Sequence, residues 1–326
     1  MTNHDRAAGV LLGLACGDAL GRPVASRAGH SIAREYGRLT EMRGGGTRGQ
    51  SAGTVTGATA LTRRLAESLV ARERFDRADV ADRFRDWYAT DPETVSATTA
   101  AVLERVAAGA DPETAGQAVR DERPASRDAD SGSLARCGAL AVAFEDADDL
   151  AAVAAAASRL THADTRCVES CVALTRVLRE LLDGAAPEAA LDAALSLAGT
   201  RGAPRELRTV LAVAADTGAA ELSTDGDVVR TLETALHDGL TAESAEEAVV
   251  TAVNRGGETD VVGAVAGAVA GARFGASALP ERWLDHLDGR DRFADLARSL
   301  ADGGFEPSDA ADVDGAESDE DGPAGR

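Results

Sequence analysis

Two carboxylates late in the chain stand where they could hold a charged ligand. Glu258 and Asp260 follow the pair Gly256 and Gly257, and they precede segment 261–274, which is made almost wholly of glycine, alanine and valine. Residues two apart cannot share a face of a regular helix, whereas both can point the same way from the turn that precedes one. The two side chains are therefore either solvated turn residues or inward-facing groups that hold something charged.

The elements that would position these carboxylates are helical. Apolar residues recur at helical spacing along nearly the whole chain, and we find no convincing run of alternating strand residues. Pro112 and Pro187 lie near predicted helix starts, and Gly109 and Gly184 lie where helices should stop. Aromatic residues are only 3% of the chain, so the core must consist of alanine, leucine and valine. The sequence predicts an all-α fold, a compact bundle of ten or more helices.

The chain divides into one folded unit and a short tail. Of the 326 residues, the sequence predicts that 1–306 form a single all-α domain. Within it, segment 37–58 is too glycine-rich for a helix and too long for an idle turn, which is typical of functional loops. Residues 307–326 carry seven acidic groups and almost nothing to bury, so we expect a disordered tail.

Two predicted helices carry glycine at every fourth position. Residues four apart lie on one helical face, so each of these helices has a stripe without side chains. A glycine inside a helix costs about 1 kcal/mol relative to alanine, and close approach of another helix would offset that cost. We expect two central helices that touch each other along these stripes, which are Gly9, Gly13, Gly17, Gly21 and Gly263, Gly267, Gly271, Gly275.

Composition constrains the environment and the partners. The net charge is −21, and every basic residue is arginine. An acidic, lysine-free surface suits a salt-rich cytosol, although a genome that replaces lysine with arginine would also contribute. A chain without a basic face is not expected to bind nucleic acid, because phosphate binding requires one.

The cysteines and the N-terminus favour a cytoplasmic protein. Four cysteines do not form a disulfide framework in a chain this long, and Cys167 and Cys171, four apart, are read as buried thiols rather than a metal pair. The N-terminal apolar run is short, and Gly13 stands where a lipoprotein signal would want leucine before Cys16. No stretch reaches the roughly 20 apolar residues that span a bilayer. We expect no membrane partner and a cytoplasmic location.

Five ordered segments resemble the ADP-ribosylglycohydrolase family, which is related to dinitrogenase reductase-activating glycohydrolase. The resemblance runs from residue 6 to about residue 300, nearly the whole folded chain. Any one segment is weak evidence, whereas five in order make accidental similarity very improbable. The segments are GVLLGLACGDALGRPV, YGRLTEMRGGG, DADSGSLARCGALAVAF, LTHADTRCVESCVAL and NRGGETDVVGAVAGAVAGARFGASALPERW.

The resemblance implies an all-α hydrolase that cleaves the glycosidic bond joining ADP-ribose to a protein side chain or small acceptor. Enzymes of this family hold two divalent cations, usually Mg or Mn, through a Thr-Asp-Asp-Thr turn and a Gly-Gly-Asp-x-Asp-Thr motif. Such hard cations take oxygen ligands. The matching positions here are Thr56, Glu258 and Asp260, which the resemblance therefore implies as metal ligands. On this interpretation the two carboxylates point inward at a cation.

The metal motifs depart from the family pattern. The Thr-Asp-Asp-Thr turn reads Thr-Gly-Ala-Thr over residues 56–59, so Gly57 and Ala58 offer no side-chain oxygen. Val261 replaces a ligand threonine, and Ala25 replaces a common glutamate. Two dications with so few anionic ligands would repel each other. We expect one ion, Mg or Mn, with a mostly water shell, and we expect aspartates restored at 57 and 58 to tighten metal binding.

Other positions match functional residues of the family. Asp128 matches the acid–base aspartate of bacterial members and His162 a substrate-site histidine, so the resemblance implies that both are catalytic. Their plainer interpretations are a solvated surface loop and a packing or capping role. The remaining residues match substrate-binding segments, where backbone amides could meet phosphate or ribose oxygens; they are Asp18, Ser131, Gly132 and Ser133.

Three functions are compatible with this sequence. The first is an ADP-ribosylglycohydrolase-like hydrolase with a reduced metal site, acting on ADP-ribose linked to an acceptor. The second is a catalytically impaired relative that binds ADP-ribose or a related nucleotide without turnover, as the loss of aspartates at 57 and 58 would favour. The third is a scaffold protein of the same fold. The acceptor stays open among arginine, serine, a nucleotide and a small molecule.

Overall fold

The computed structural model describes residues 2–45, 49–123 and 129–307, and the all-α prediction is confirmed over these residues. The predicted tail, apart from Pro307, lies outside the described residues. The described chain forms sixteen α-helices: α1 (Asn3–Gly21), α2 (Gly29–Tyr36), α3 (Gly57–Arg72), α4 (Arg77–Tyr88), α5 (Ala97–Ala107), α6 (Pro112–Glu122), α7 (Gly138–Ala143), α8 (Ala147–Arg159), α9 (Thr165–Leu182), α10 (Pro187–Thr200), α11 (Arg205–Val213), α12 (Val228–Thr241), α13 (Ala245–Asn254), α14 (Thr259–Phe274), α15 (Glu281–Leu284) and α16 (Arg290–Asp302).

Local sequence explains where the helices begin and end. Pro112 and Pro187 start α6 and α10 as predicted, because proline needs no hydrogen-bond partner in a first helical turn. Gly109 and Gly184 follow the ends of α5 and α9 with positive φ, the backbone conformation that glycine adopts most readily. Four short 3-10 helices complete the helical elements: Arg22–Val24, Ser131–Ser133, Ala135–Cys137 and Ala276–Ala278.

The two glycine-striped helices, α1 and α14, pack directly against each other, which confirms the expected contact. A Cβ atom placed on Gly17 would lie 1.9 Å from the carbonyl oxygen of Gly263, and one on Gly267 would lie 2.1 Å from that of Gly13. Neither helix could approach the other so closely if these positions carried side chains. The crossing brings the end of α1 to the start of α14, where the Thr259 hydroxyl donates to the Gly21 carbonyl at 2.8 Å.

Helix α1 is long and carries a continuous apolar run. By length and composition, segment Asn3–Val24 could cross a membrane, but 89% of its apolar window is buried inside the protein. A central helix surrounded by other helices requires the same apolar character. The burial of α1 in the core therefore accounts for its composition.

One short β-ribbon was not expected. Strands β1 (Arg27–Ala28) and β2 (Gly256–Gly257) pair antiparallel, and two residues per strand are too few to give an alternating pattern. Gly256 and Gly257 both have positive φ, at 84° and 73°. The ribbon ties the turn after α1 to the turn before α14, and it fixes the backbone from which Glu258 projects.

Two loops, one between α2 and α3 and one between α4 and α5, contribute residues to the same end of the bundle as Glu258. Between α2 and α3, the described part of the glycine-rich segment 37–58 is non-helical up to Thr56, as predicted. Residues 89–96 connect α4 to α5. Both loops end on hydroxyl side chains that cap the next helix: Thr56 Oγ1 accepts from the Ala58 N–H, and Ser96 Oγ accepts from the Thr99 N–H.

Candidate active site

The floor of the candidate site contains the fully buried Asp18 and the partly buried Asp260, at the end of the α1–α14 crossing. Asp18 Oδ2 accepts hydrogen bonds from the N–H groups of Thr56 at 2.9 Å and Thr59 at 3.3 Å. The other oxygen of this carboxylate, Oδ1, and Oδ1 of Asp260 are buried without a hydrogen-bond partner among the described residues. Burial, and then the charge of the neighbouring Asp260, raise the pKa of Asp18 to about 7. Burial also raises the pKa of Asp260.

The helix that carries Asp260 starts earlier than the sequence predicted. Helix α14 begins at Thr259, so Asp260 lies in its first turn and Glu258 is its N-cap residue. Both residues are partly buried, and the Oδ1 atom of Asp260 is fully buried. Burial, followed by the charges of Asp260 and Asp130, raises the pKa of Glu258. The position of Glu258 is fixed by its N–H, which donates to the Thr224 carbonyl at 2.9 Å.

Two adjoining cavities lie next to Asp260 and Glu258. The smaller one, about 140 Å³, brings Thr56, Glu258 and Asp260 together, as expected from the sequence. The larger one has a volume of about 800 Å³. Residues shared by both cavities form the boundary between them; these are Ser96, Gly132, Glu258 and Val261.

Several oxygen atoms lie in or next to the small cavity. The donors are the two unpartnered aspartate oxygens, the half-buried Glu258 carboxylate and the hydroxyl of Thr56. A buried carboxylate oxygen without a hydrogen bond is costly, and a bound cation would relieve that cost for Asp18 and Asp260 together. No group of three or more His, Cys, Asp or Glu side chains arranged to hold a metal is found among the described residues. The predicted metal site therefore stays a prediction.

Space for a carboxylate differs between positions 57 and 58. A Cβ atom on Gly57 would lie 2.5 Å from the Thr94 carbonyl oxygen and 3.0 Å from the Trp87 ring. Ala58, in contrast, lines the small cavity and is partly exposed. The predicted effect of aspartates at 57 and 58 on metal binding stays a prediction, and at 57 Thr94 and Trp87 lie where a Cβ atom would be placed.

A buried hydrogen-bonded chain adjoins the larger cavity. His162 Nε2 contacts Asp130 Oδ1 at 2.7 Å, and His162 Nδ1 contacts Thr161 Oγ1 at 2.7 Å. The imidazole is fully buried, whereas the Asp130 side chain is 28% exposed and lines the cavity. His162 is therefore hydrogen-bonded to a residue that lines the cavity. Its predicted catalytic role stays a prediction.

The Ser-Gly-Ser segment is split between the cavity and the core. Ser131 and Gly132 line the larger cavity. Ser133 is fully buried and faces the other way, where its hydroxyl contacts the Ser158 hydroxyl at 3.1 Å and the Cys171 thiol at 3.4 Å. The first two residues are available to a ligand, and the third is part of the packing. The predicted catalytic residue Asp128 lies outside the described residues.

Neutralising Asp18 should stabilise the metal-free protein. In Asp18→Asn the amide oxygen can still accept from Thr56, while the amide N–H₂ group replaces the carboxylate oxygen beside Asp260. We expect the free energy of unfolding in chelator to rise by about 1–3 kcal/mol, the cost of an unsatisfied buried polar group, and the stabilisation by Mg to decrease. Denaturant unfolding with and without Mg measures both effects.

The matched control is Asp295→Asn, which neutralises an exposed carboxylate on α16. It should change neither quantity, because exposed ion pairs contribute little to stability. If Asp18→Asn lost stability in chelator, the carboxylate pair would not be repulsive and the cation-site interpretation would be wrong.

Sequence reasoning missed several residues of this region. Asp130 could have been found, because an Asp directly before Ser-Gly-Ser is a typical cap, and here Asp130 Oδ1 accepts from the Gly132 N–H at 2.9 Å. No local sequence pattern indicated Trp87, Thr94 or Ser96 as site residues. They line the small cavity because of how α4 and the 89–96 loop pack.

Comparisons with known proteins agree with this architecture. The model of the ADP-ribosylglycohydrolase family matches residues 1–310. The chain is 30% identical to the ADP-ribosyl-[dinitrogen reductase] glycohydrolase of Rhodospirillum rubrum over 87% of this chain and 91% of that protein. It is 28% identical to the ADP-ribosylarginine hydrolase Tri1 of Serratia proteamaculans over 91% and 79%, respectively. A solved structure described as an ADP-ribosylglycohydrolase-related protein complex superposes with a TM-score of 0.78 at 36% identity, covering 92% of this chain and 98% of that one.

Proposed function

This chain belongs to the ADP-ribosylglycohydrolase family, and from that membership we propose that it is a hydrolase that releases ADP-ribose from an acceptor by cleaving their glycosidic bond. The observation that carries the proposal is that Thr56, Glu258 and Asp260 line one cavity, with buried Asp18 beside Asp260, and that Glu258 also lines the larger cavity. The larger cavity, about 800 Å³, has the size of pockets that bind a nucleotide-sized ligand.

A single divalent cation, Mg or Mn, would belong to the small cavity. Asp18, Thr56, Glu258 and Asp260 would hold it through oxygen atoms, as hard cations require. When bound, such an ion orients the ribose and stabilises negative charge that develops on an oxygen. The missing side-chain oxygens at Gly57 and Ala58 support one ion rather than the two of other family enzymes.

The acceptor would be an ADP-ribosylated protein side chain with a positive charge. The relatives named above act on ADP-ribosylated dinitrogen reductase and on ADP-ribosylarginine. Four acidic side chains line the larger cavity, and only one arginine does so among the described residues; the acidic ones are Asp130, Asp225, Asp227 and Glu258, and the arginine is Arg123. A cationic acceptor next to these carboxylates is favoured. Arg123, which donates to the Thr98 hydroxyl and the Ala97 carbonyl, is the lining cation that would lie nearest a pyrophosphate in this cavity.

Binding without turnover is the second candidate function. The loss of both aspartates at positions 57 and 58 favours it, because a site with fewer anionic ligands holds a metal more weakly. In that case the protein would act as a sensor of ADP-ribose or a related nucleotide. The acidic, lysine-free composition leads us to place either activity in a salt-rich cytoplasm.

Ligand-linked stability and turnover separate the two candidates. We expect MgCl₂ or MnCl₂ to raise the melting temperature, ADP-ribose to raise it further, and an ADP-ribosylated arginine to be hydrolysed, all measured in buffer with high KCl. Stabilisation by ADP-ribose without metal dependence and without product would favour the binding protein. No response to metal or ADP-ribose, and no product, would contradict both.

A further inference from the structure

We propose that Asp130 is a catalytic carboxylate of this site, a fixed negative charge beside the ribose, and that His162 is its positioning residue. The proposal rests on the hydrolase function proposed above and names one residue of its machinery. Neither the family motifs nor the metal-ligand pattern assigns a role to Asp130. Asp130 lines the larger cavity and is hydrogen-bonded to the buried His162.

Three donors hold the Asp130 carboxylate in one orientation. Oδ1 accepts from His162 Nε2 at 2.7 Å and from the Gly132 N–H at 2.9 Å, and Oδ2 accepts from the Thr98 hydroxyl. The Thr98 oxygen in turn accepts from Arg123 Nη1 at 2.5 Å. With both oxygens engaged, the carboxylate cannot rotate, yet 28% of its side chain remains exposed to the cavity.

The hydrogen-bond directions behind His162 follow from Arg136, which can only donate. Its Nη2 lies 2.5 Å from Thr161 Oγ1, so the threonine oxygen accepts that bond. The Thr161 hydroxyl hydrogen is then available to His162 Nδ1, 2.7 Å away. This leaves Nδ1 as an acceptor and Nε2–H as the donor to Asp130. Arg136 is itself fully buried over the Phe84 ring at 5.3 Å, which fixes the start of the chain of hydrogen bonds.

Asp130 stays ionised, which suits a carboxylate that stabilises positive charge on the substrate rather than one that transfers a proton. Burial acts to raise the pKa of Asp130, but His162, the Thr98 hydroxyl and the Gly132 N–H outweigh burial and hold that pKa well below its usual range. A group that stays ionised is a poor proton acceptor. Cleavage of a glycosidic bond develops positive charge on the sugar ring, and a fixed anion beside the ring stabilises that charge.

The position of Asp130 matches this role. It lies directly before Ser131 and Gly132, and all three line the larger cavity together with Glu258. A Cβ atom on Gly132 would lie 2.9 Å from Asp130 Oδ1 and 3.0 Å from His162 Cε1. The absence of a side chain at Gly132 therefore leaves the carboxylate open to a ligand.

Asp130→Asn tests the catalytic assignment. Asparagine can accept from His162 and Gly132, so the fold and the affinity for ADP-ribose should be retained, with a change in Kd of less than about threefold. We expect kcat for an ADP-ribosylated arginine to fall by about 10²- to 10³-fold, the range found when a preorganised stabilising group is removed. Asp295→Asn, the exposed control on α16, should leave kcat unchanged.

Thr161→Val tests the positioning of His162. Loss of the hydroxyl frees the imidazole to change tautomer, so kcat should fall by about 10-fold at constant KM, and Thr161→Ser should restore it. A purely structural role would lower the melting temperature without separating kcat from KM.

The outcomes distinguish the two proposals. If the wild-type protein hydrolyses the substrate and Asp130→Asn retains kcat within threefold, the assignment of Asp130 is wrong and the proposed function stands. If the wild-type protein shows no turnover, the proposed hydrolase function is wrong, and the catalytic role of Asp130 with it.

Discussion

Replacement of Gly17 by alanine should lower the free energy of unfolding by about 3 kcal/mol or more. The new Cβ atom would lie 1.9 Å from the Gly263 carbonyl oxygen and 2.4 Å from its carbon, and both are backbone atoms of α14 that cannot rotate away. The helices would have to separate along the whole crossing, and the buried contacts on both sides would be lost. Denaturant unfolding and thermal melting followed by circular dichroism measure the effect.

Gly199→Ala is the matched control for this substitution. Gly199 lies near the end of α10, and a Cβ atom there would meet nothing within 4 Å. The same chemical change should therefore stabilise the protein by up to about 1 kcal/mol, since alanine is the better helix former. If the two variants melted alike, the close approach of α1 and α14 would not exist in solution.

Aspartates at positions 57 and 58 should have opposite effects, although the two positions are adjacent. Gly57→Asp would drive a charged side chain against the Thr94 carbonyl and the Trp87 ring, so we expect a loss of about 3 kcal/mol or more in unfolding free energy. Ala58→Asp would place its carboxylate in the small cavity, near the N-terminus of α3, where a negative charge is favoured. It should fold and bind Mg about 10-fold more tightly than the wild type.

Calorimetric titration with MgCl₂ and melting in chelator measure these two effects. In chelator Ala58→Asp should be less stable than the wild type, because it adds a charge near Asp260 and Glu258, and Mg should reverse that difference. An Ala58→Asp protein with unchanged Mg affinity would show that the cation binds elsewhere. A Gly57→Asp protein of normal stability would contradict the packing of Trp87 over the start of α3.

Local sequence patterns predicted the helices well because helix formation depends on residues that are close in the chain. Helical periodicity, proline at helix starts and glycine after helix ends each depend on a few neighbouring residues, and α6 and α10 begin where the prolines predicted. The glycine stripes carried longer-range information, since only a close helix contact offsets their cost. That pattern therefore predicted the pairing of α1 with α14 across more than two hundred residues.

The site was predicted less completely because its shape depends on packing between distant segments. The convergence of Thr56, Glu258 and Asp260 could be predicted from motifs. Motifs could not predict that Trp87 fills the space beside Gly57, because this depends on how α4 packs. They also could not predict that Ser133 faces the core, because this depends on the packing of α9. Asp130 needed only a cap pattern, but its link to His162 joins residues 32 apart in the chain.

The contact between α1 and α14 has a consequence for synthesis on the ribosome. The first helix to emerge is apolar and striped with glycine, and its partner begins 238 residues later, as the Thr259–Gly21 hydrogen bond shows. Until that partner emerges, α1 lacks its most extensive packing surface, although α7 and α13 can already cover part of it, and Asp18 has no Asp260 beside it. Contacts of such long range fold slowly, and the unfinished chain exposes apolar surface meanwhile. Release of the C-terminal part from the exit tunnel is therefore the event that permits folding, so a nascent chain arrested before residue 259 should remain dependent on chaperones.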